Sequence, residues 1–374
     1  MTTKELVKLT SELIELPSDL EHKEHAVAKK IVEVLKREGI RGEIDYSSEG
    51  RPNVLAVLEG EKPGKTLLFN GHTDVVPAGE GWTKKPWKAL EENGRIYGRG
   101  SCDMKGGIAA MMAATIQLKR DNYPFNGKLV LFFNADEERS NIGMRHFLNN
   151  PIDADYAVVG EATNLTPCIG HRGNGRIRLT TKGKAGHCAR VEKPDNALYK
   201  LARIITALEE HAKEVEKRAS EVGNGSLTVT MAGGGTAPNI VPDYGWLELD
   251  RRILPGETKE SVIEEVKVWA EQASGEKIMP NMYQYFPAFY IPADHELVDI
   301  ALRSVAGVTG EKVTPELFQA GTEAPFLAID LKCPTIILGP GSLEQAHQPD
   351  EYVEINQLTK AKEIYQAMAI EILK

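Results

Sequence analysis

The sequence predicts an α/β fold, a mostly parallel sheet flanked by helices, with a smaller α+β domain inserted into it. Three observations support this prediction. Helix and strand patterns alternate along the first half of the chain. The strand candidates in that half are short and apolar on both faces, as buried parallel strands are. The middle of the chain instead alternates apolar and polar residues, which is typical of half-exposed strands.

Length and composition limit the class of protein. A chain of 374 residues is long enough for two or three domains. With 41% hydrophobic and 26% charged residues, it has the composition of a folded globular protein, and whole-chain disorder is excluded. Acidic residues number 54 against 45 basic ones and no basic stripe occurs, so no nucleic-acid partner is expected. No apolar run is long enough for a membrane helix, so no membrane partner is expected either.

The N-terminal segment predicts an amphipathic helix over 3–15, because Leu6, Leu9 and Leu13 recur at helical spacing between charged residues. This pattern differs from the uninterrupted apolar core of a signal peptide. A second helix is predicted over 25–38. The four cysteines are scattered without a Cys-x-x-Cys pair, which favours a reducing, cytoplasmic location.

Four short apolar runs predict the buried strands of the sheet, at 67–69, 129–133, 157–159 and 336–338. Between the third and fourth runs, the pattern predicts a strand near 176, a helix from 197, strands at 227–231 and 245–253, a helix from 258 and a strand at 282–285. This β-α-β-β-α-β order is that of a ferredoxin-like module. The predicted domains are therefore 1–175, an inserted domain at 176–288, and 289–374, which completes the first domain.

Histidine and acidic residues follow each of the four buried strands. His72 and Asp74 follow the first strand, the acids at 136–138 the second, Glu161 the third, and His347 lies shortly after the fourth. Ligands of open α/β sheets bind at the carboxyl ends of the strands, so these segments are expected to converge. Any one of these acids alone would be a surface charge or a helix cap. Together, they offer the nitrogen and oxygen ligands that suit Zn²⁺ or a similar divalent ion.

A fifth segment, 98–107, is rich in glycine and leads into a helix. A phosphate-binding loop is the alternative interpretation, but the glycine spacing is not that of a P-loop. The acid at its centre, Asp103, would also repel a phosphate. We therefore favour Asp103 as a further candidate ligand.

These five segments resemble, in their order along the chain, the motifs of the dinuclear-zinc amidohydrolases and exopeptidases. That family includes acetylornithine deacetylase, succinyl-diaminopimelate desuccinylase, aminoacylase and glutamate carboxypeptidase. The stretches 322–326 and 338–353 resemble the acetylornithine deacetylase branch in particular. The resemblance implies a zinc-exopeptidase-like catalytic domain with the inserted domain acting as a lid.

The resemblance also implies a ligand set for two divalent metal ions, with Zn²⁺ expected and Co²⁺ as the alternative. In this set, Asp103 bridges both ions. The first ion is completed by His72 and Glu161, and the second by Glu138 and His347. Two doubly charged ions and three carboxylates have a net charge of +1. This charge favours loss of a proton from a metal-bound water molecule at neutral pH.

Catalytic roles follow from the same resemblance. Glu137 is expected to be the general base, and Asp74 to hold the imidazole of His72 in place. His187, in the inserted domain, is expected to stabilise the oxyanion. Lid domains of this family pair, so a homodimer is expected, in which His187 acts on the neighbouring subunit.

The expected substrate is a small N-acyl amino acid, with N-acetyl-L-ornithine the leading candidate. The resemblance assigns substrate contacts to Arg252, Asn239 and Arg172 in the inserted domain, since arginine suits a substrate carboxylate. Glu323 is the candidate partner of the δ-ammonium group. Alternatives are succinyl-diaminopimelate, other N-acyl amino acids and dipeptides. Outside enzymes, the alternative is a catalytically silent binding module of the same fold.

Overall fold

The computed structural model describes residues 1–47, 49–190 and 195–374. The chain forms two compact units. The first unit consists of Met1–Gly170, Ile291–Phe318 and Thr322–Lys374. The second unit consists of His171–Tyr290 and Gln319–Gly321.

Eight α-helices occur in the described part of the chain. They are α1 (Thr3–Ile14), α2 (His25–Arg37), α3 (Lys105–Arg120), α4 (Ile142–Phe147), α5 (Ala197–Glu216), α6 (Lys259–Ser274), α7 (Glu296–Thr309) and α8 (Ile355–Ile372). A 3-10 turn at Cys188–Arg190 and a π-helical turn at Phe326–Asp330 complete the helical segments of these residues. None of the described helices combines the length and the apolar character that a membrane crossing requires.

The described residues form nineteen strands, eight of which coincide with strands that the sequence pattern predicts. In chain order they are β1 (Arg41–Tyr46), β2 (Pro52–Glu59), β3 (Thr66–His72), β4 (Leu90–Glu92), β5 (Arg95–Tyr97), β6 (Lys128–Asn134), β7 (Tyr156–Val159), β8 (Gly170–His171), β9 (Gly173–Lys182), β10 (Gly186–His187), β11 (Ala219–Ser220), β12 (Gly223–Asn224), β13 (Ser226–Gly234), β14 (Ile240–Val241), β15 (Tyr244–Ile253), β16 (Asn281–Phe286), β17 (Phe289–Tyr290), β18 (Thr335–Ile337) and β19 (Tyr352–Glu354).

Helix α1 shows why the N-terminal pattern folds as predicted. The hydroxyl of Thr2 accepts the N–H of Glu5 at 3.3 Å, and the Glu5 carboxylate accepts the N–H of Thr2 at 2.6 Å. This reciprocal pair is a capping box, which satisfies N–H groups that the first turn leaves free. Leu6, Leu9 and Leu13 form the buried face of the helix.

The central sheet of the first unit has six strands in the order β1-β2-β6-β3-β7-β18. The pairs β6–β3, β3–β7 and β7–β18 are parallel, and the pairs β1–β2 and β2–β6 are antiparallel. Strands β3 and β6 are buried along nearly their whole length, with α3 packed against both. The prediction of a mostly parallel central sheet in an α/β fold is confirmed.

Helix α3 explains the glycine-rich segment that precedes it. A Cβ added at Gly107 would lie 2.2 Å from the carbonyl oxygen of Gly160, and one at Gly106 would lie 2.4 Å from that of Ser101. Only glycine permits such close approach of backbones. Gly107 therefore allows the start of α3 to pack directly against the backbone that follows β7, and Gly106 allows the preceding turn to approach the helix closely.

The second unit contains a four-stranded antiparallel sheet in the order β13-β15-β9-β16. Helices α5 and α6 pack against each other and against this sheet. Together with the element order β-α-β-β-α-β, this strand order is that of a ferredoxin-like module. Its core is formed by buried apolar side chains of both helices and all four strands, among them Ile177, Leu179, Leu201, Ile204, Leu208, Leu247, Leu249, Val262, Val266 and Met282.

Candidate metal centre

The carboxyl ends of the central strands bring the predicted segments of the first unit to one edge of the sheet. His72 is the last residue of β3, and Asn134 is the last residue of β6. Glu161 lies two residues beyond the end of β7. Because β3 pairs in parallel with both β6 and β7, these three ends lie side by side.

His72 lies next to two carboxylates. Its Nε2 atom is 3.0 Å from Oδ1 of Asp103 and 3.4 Å from Oε1 of Glu161. All three side chains are buried. This buried group offers one imidazole nitrogen and four carboxylate oxygens as candidate ligand atoms.

His347 contacts the other oxygen of Asp103. Its Nε2 atom is 3.3 Å from Oδ2 of Asp103 and 3.0 Å from Oε1 of Glu138. One candidate ligand atom from each of His72, Asp103 and Glu138 lies within 4.8 Å of the others. Asp103 thus stands between two groups of donors and presents one carboxylate oxygen to each histidine.

Burial and neighbouring charges shift the pKa values of these groups. Burial acts to lower the pKa of His72, but Asp103 and Glu161 outweigh it and hold that pKa well above its ordinary value. Hydrogen bonds with Asp103 and Glu138 raise the pKa of His347 to about 10. Burial, with the charge of Asp103 beside it, raises the pKa of Glu161 to about 8. Crowded, buried carboxylates of this kind call for positive charge, so the donor set fits divalent cations.

Cys102 adjoins Asp103 but is not arranged as a ligand. Its thiol donates to the carbonyl oxygen of Ser342 at 3.2 Å. Burial, followed by the charge of Glu351, raises the pKa of this thiol well above its ordinary value. Because a metal ligand must be a thiolate, the candidate donors here remain nitrogen and carboxylate oxygen.

Asp74 contacts His72 in a different way from the one predicted. The backbone carbonyl of Asp74 lies 2.9 Å from Nδ1 of His72, whereas its carboxylate lies 3.7 Å away. The carboxylate oxygens instead accept the backbone N–H groups of Glu137 at 3.0 Å and Glu138 at 3.1 Å. The carbonyl therefore orients the imidazole, and the carboxylate fixes the turn that carries two neighbouring acids.

Two further charged residues, Arg51 and Glu24, also hold this turn, and no sequence motif marks either of them. Asp136 has a φ of 66°, a conformation that is uncommon for residues other than glycine. Its carboxylate accepts Nη1 of Arg51 at 2.9 Å, and Nε of Arg51 donates to Glu24 at 2.7 Å. These partners are 85 and 27 residues apart in the chain, so no local pattern signals them.

Glu137 and Glu323 are two further buried carboxylates of the first unit. Burial, followed by the charge of Glu323, raises the pKa of Glu137 well above its ordinary value. Glu323 has no solvent exposure, and neither of its oxygens accepts a hydrogen bond by strict geometry within the described residues. Burial also raises the pKa of Glu323, although the charge of His72 and, to a smaller extent, the nearby amide of Asn134 offset part of that shift.

The other predicted site residues belong to the second unit. His187 is exposed, and its strand β10 pairs with β14, opposite Ile240. The carbonyl of Asn239 accepts the N–H of Cys188 at 3.1 Å, so His187 and Asn239 lie on adjacent segments. The N–H of Ala189 donates to Nδ1 of His187 at 3.2 Å, which leaves Nε2 to carry the ring proton of the neutral imidazole.

The two predicted arginines of the second unit have different surroundings. Arg252 lies on β15, where it pairs with Asp250 at 3.1 Å and keeps 39% of its side chain exposed. Nη1 of Arg172 donates to the carbonyl oxygen of Asn224 at 3.2 Å. Each guanidinium has five N–H groups, so both arginines keep donors for a further acceptor.

Comparisons with known proteins agree with this architecture. The chain matches the family described as Peptidase family M20/M25/M40 over residues 68–371. It is 34% identical over 355 residues to an acetylornithine deacetylase of Aliivibrio salmonicida, which covers 92% of this chain and 90% of the relative. An M20 family metallo-carboxypeptidase from Sulfolobus solfataricus superimposes with a TM-score of 0.82 at 20% identity, over 99% of each chain. A dinuclear metal-binding M20 peptidase from Bacillus subtilis superimposes with a TM-score of 0.74 at 19% identity, over 99% of this chain and 98% of the other. At such identities, the two structures support the fold alone.

Proposed function

The chain belongs to peptidase family M20/M25/M40 and is a metallohydrolase of that family, and from this premise we propose that it removes the acetyl group from N-acetyl-L-ornithine. The family and the enzyme class predicted from the motifs are confirmed. The observation that carries the proposed hydrolysis is the position of Asp103, with one carboxylate oxygen near His72 and the other near His347, and the proposed substrate is supported by the 34% identity to an acetylornithine deacetylase. A carboxylate shared in this way suits a two-metal hydrolase.

The proposed ligands for two divalent ions are His72, Glu161, Glu138, His347 and the shared Asp103. The donor set of imidazole nitrogens and carboxylate oxygens is the one that Zn²⁺ takes in proteins, with Co²⁺ as the alternative ion. When bound, the two ions would supply Lewis-acid activation of the amide carbonyl and of a water molecule.

Glu137 is the proposed general base. Its burial raises its pKa, so its carboxylate is a stronger base than an exposed glutamate. Asp74 holds the backbone of Glu137, which limits the directions the carboxylate can take. In this role, Glu137 accepts the proton of the attacking water and passes it to the departing amine.

His187 is the proposed oxyanion donor. Because Nδ1 accepts the N–H of Ala189, the neutral ring carries its proton on Nε2 and offers it outward.

We also propose a homodimer through the second unit, in which His187 acts on the partner's site. Strand β13 is an edge of the antiparallel sheet, and Met231 on it is 55% exposed. Such an edge leaves backbone groups free to pair with a second chain.

Different residues are proposed to bind the two charged ends of the substrate, its α-carboxylate and its δ-ammonium group. Arg252, supported by Asn239 and Arg172, is proposed to bind the α-carboxylate, because a guanidinium fork matches two carboxylate oxygens. Glu323 is proposed to face the δ-ammonium. A buried carboxylate whose oxygens lack hydrogen bonds is costly, and an ammonium group would satisfy it. We further propose a cytoplasmic location, as the scattered cysteines predict.

A side-by-side assay tests the substrate assignment. Purified enzyme, loaded with Zn²⁺, is given N-acetylornithine, N-acetylmethionine, succinyl-diaminopimelate and a dipeptide, and kcat/KM is measured for each. The proposal expects the highest value for N-acetylornithine. A clear preference for the succinylated substrate or the dipeptide would overturn it, and no hydrolysis of any substrate would favour the binding module.

Glu323→Gln in the same assay tests the ammonium contact. The variant is expected to lose about 10-fold or more in kcat/KM on N-acetylornithine and much less on N-acetylmethionine, which has no ammonium to pair. Glu296→Gln is a matched control, because Glu296 lies on the surface of the same unit with 60% of its side chain exposed. Equal losses on both substrates would remove Glu323 as the ammonium partner.

A further inference from the structure

Glu351 is a charged side chain with no solvent exposure, and it is not one of the proposed metal ligands. Its Oε1 atom accepts the backbone N–H of Cys102 at 2.9 Å and that of Asp103 at 3.1 Å. Its Oε2 atom accepts Nη1 of Arg99 at 2.5 Å. Oε1 of Glu351 thus binds the backbone of Asp103, the residue that lies between the two histidines.

Arg99 keeps the buried charge of Glu351 paired. Its guanidinium is also buried, lies 5.2 Å from the centre of the Trp82 ring, and donates from Nη2 to the carbonyl of Ala78 at 3.1 Å. Nη1 of Arg99 thus pairs with the carboxylate and Nη2 ties the guanidinium to the backbone, while its Nε–H has no hydrogen-bond partner among the described residues. The position of the Glu351 carboxylate is therefore set on two sides.

Glu351 also lies four residues after His347, in a segment that is fixed at a second point. The adjacent Asp350 accepts the N–H groups of Thr83 and Lys84, each at 3.0 Å. His347 has a φ of 62°, a conformation that a non-glycine residue keeps only when its surroundings hold it. The same short segment therefore carries His347 and grips the backbone of Asp103.

We propose that Glu351 is a positioning residue that fixes the carboxylate of Asp103 relative to His347 and thereby sets the affinity for the metal ions. The inference rests on the proposed two-metal function. It extends that function, because Glu351 is neither a proposed metal ligand nor a proposed substrate contact and acts through the backbone of Asp103. The alternative is a buried ion pair that contributes to folding only.

Glu351→Asp tests the proposal without removing charge. Aspartate is one methylene shorter, so it keeps the pair with Arg99 but cannot also reach the N–H groups of Cys102 and Asp103. Zn²⁺ affinity is measured by competition with a chromophoric chelator, and the Co²⁺ absorption spectrum reports ligand geometry. The variant is expected to bind at least one ion about 10-fold more weakly, the usual size of such indirect effects, and to change the Co²⁺ spectrum.

Glu354→Asp is the matched control. It is the same change three residues further on, where the side chain pairs at the surface with Arg95 at 3.6 Å. The control is expected to bind both ions as the parent does. Parent-like affinities and spectrum in Glu351→Asp would overturn the positioning role.

Circular dichroism of the metal-free protein shows whether Glu351→Asp folds. If it does not fold, a pair of double variants tests the positioning role of Glu351 instead. Arg99→Gln with Glu351→Gln removes both charges and keeps an amide oxygen for the two N–H groups. Arg99→Gln with Glu351→Leu removes that acceptor. The first is expected to stay close to the parent in Zn²⁺ affinity and the second to fall about 10-fold. Equal affinities in the two would overturn the proposal.

The measurements need no substrate, so an error in the substrate assignment does not affect them. A parent protein that binds no Zn²⁺ or Co²⁺ would overturn the metal centre and the positioning role together. A parent that binds two ions, with a Glu351→Asp variant that binds them equally well, would overturn the positioning role alone.

Discussion

The carboxylate of Asp74 accepts the backbone N–H of Glu137 at 3.0 Å, across 63 residues of chain. Its other oxygen accepts the N–H of Glu138 at 3.1 Å. One acid, two residues beyond the end of β3, therefore fixes both the proposed base and a proposed metal ligand. Since the two acids are neighbours in the chain, a shift of this turn would move both of them.

Asp74→Asn is expected to impair both functions of the turn. An asparagine side chain offers one oxygen and one NH₂ group, so one of the two backbone N–H groups would face a donor and lose its partner. We expect kcat to fall about 10- to 100-fold and Zn²⁺ affinity to weaken, as for other supporting residues of metal sites. Kinetics and metal content of the purified variant are the measurements.

Asp45→Asn is the control for this variant, because Asp45 lies at the surface with 62% of its side chain exposed and pairs there with His146 at 3.0 Å. It should behave as the parent does. Parent-like turnover in Asp74→Asn would show that the turn does not depend on this carboxylate.

Glu137→Gln and Glu138→Gln are expected to separate the two neighbouring acids. Glu137→Gln should keep both ions and lose about 10²- to 10⁴-fold in kcat, the usual size of general-base catalysis. Glu138→Gln should lower the occupancy of one ion, because its Oε1 lies 3.0 Å from Nε2 of His347. Metal analysis beside kinetics distinguishes them, and normal turnover in Glu137→Gln would contradict its role as the base.

The parts of this site that the sequence predicts are those with a local signal. His72 directly ends a buried strand, and Glu161 follows another within two residues. In a parallel sheet, such positions converge whatever the rest of the chain does. The strand pattern therefore predicts the edge of the sheet at which these residues lie.

The supporting residues could not be predicted, because their roles depend on partners far away in the chain. Glu351 contacts the N–H of Cys102 from 249 residues away, and Arg51 contacts Asp136 from 85 residues away. In the sequence, each is an ordinary charged residue for which a surface position is the default. The role of the Asp74 carboxylate was missed for the same reason, since its acceptor function requires the turn at 136–138 to lie beside it.

The strands β1 and β2 also lacked a clear signal. Strand β1 is mostly exposed and carries several charged residues, so its apolar periodicity is weak. Strand β2 is buried along most of its length, but it begins with Pro52 and Asn53, residues that usually mark loops. The antiparallel part of the central sheet therefore emerges only from tertiary pairing.

Metal binding is expected to release protons at neutral pH. With no ion present, contacts with Asp103 and Glu138 raise the pKa of His347 to about 10, so this imidazole is protonated at pH 7. Only the neutral imidazole binds a metal, so the proton must leave when an ion binds. Affinity should therefore rise as the pH increases from 6 toward 9.

Calorimetric titration of the metal-free protein with Zn²⁺, in buffers of different ionisation enthalpy, measures the number of protons released. His347→Gln, which has no proton to release at this position, should release fewer protons than the parent. Equal proton release by the two proteins would contradict the assignment of the shifted pKa to His347.

The second unit is expected to lose stability in mild acid because of His171. Burial lowers the pKa of this imidazole to about 4, and its Nδ1 lies 2.9 Å from the carbonyl oxygen of Arg172. The unfolded chain, with an ordinary histidine pKa near 6.5, takes up the proton first as the pH falls. Stability is therefore unaffected above pH 7 and declines between about pH 6.5 and 4, by about 3 kcal/mol from this group.

His171→Asn keeps a side-chain donor but does not titrate, so its denaturant midpoint should change less over this range than that of the parent. His187→Asn, the same change at an exposed histidine, should keep the parent's pH dependence. With Trp82 and Trp87 of the first unit replaced by phenylalanine in every protein compared, the fluorescence of Trp246 and Trp269 follows the unfolding of the second unit. An unchanged acid dependence in His171→Asn would mean that another buried group is responsible.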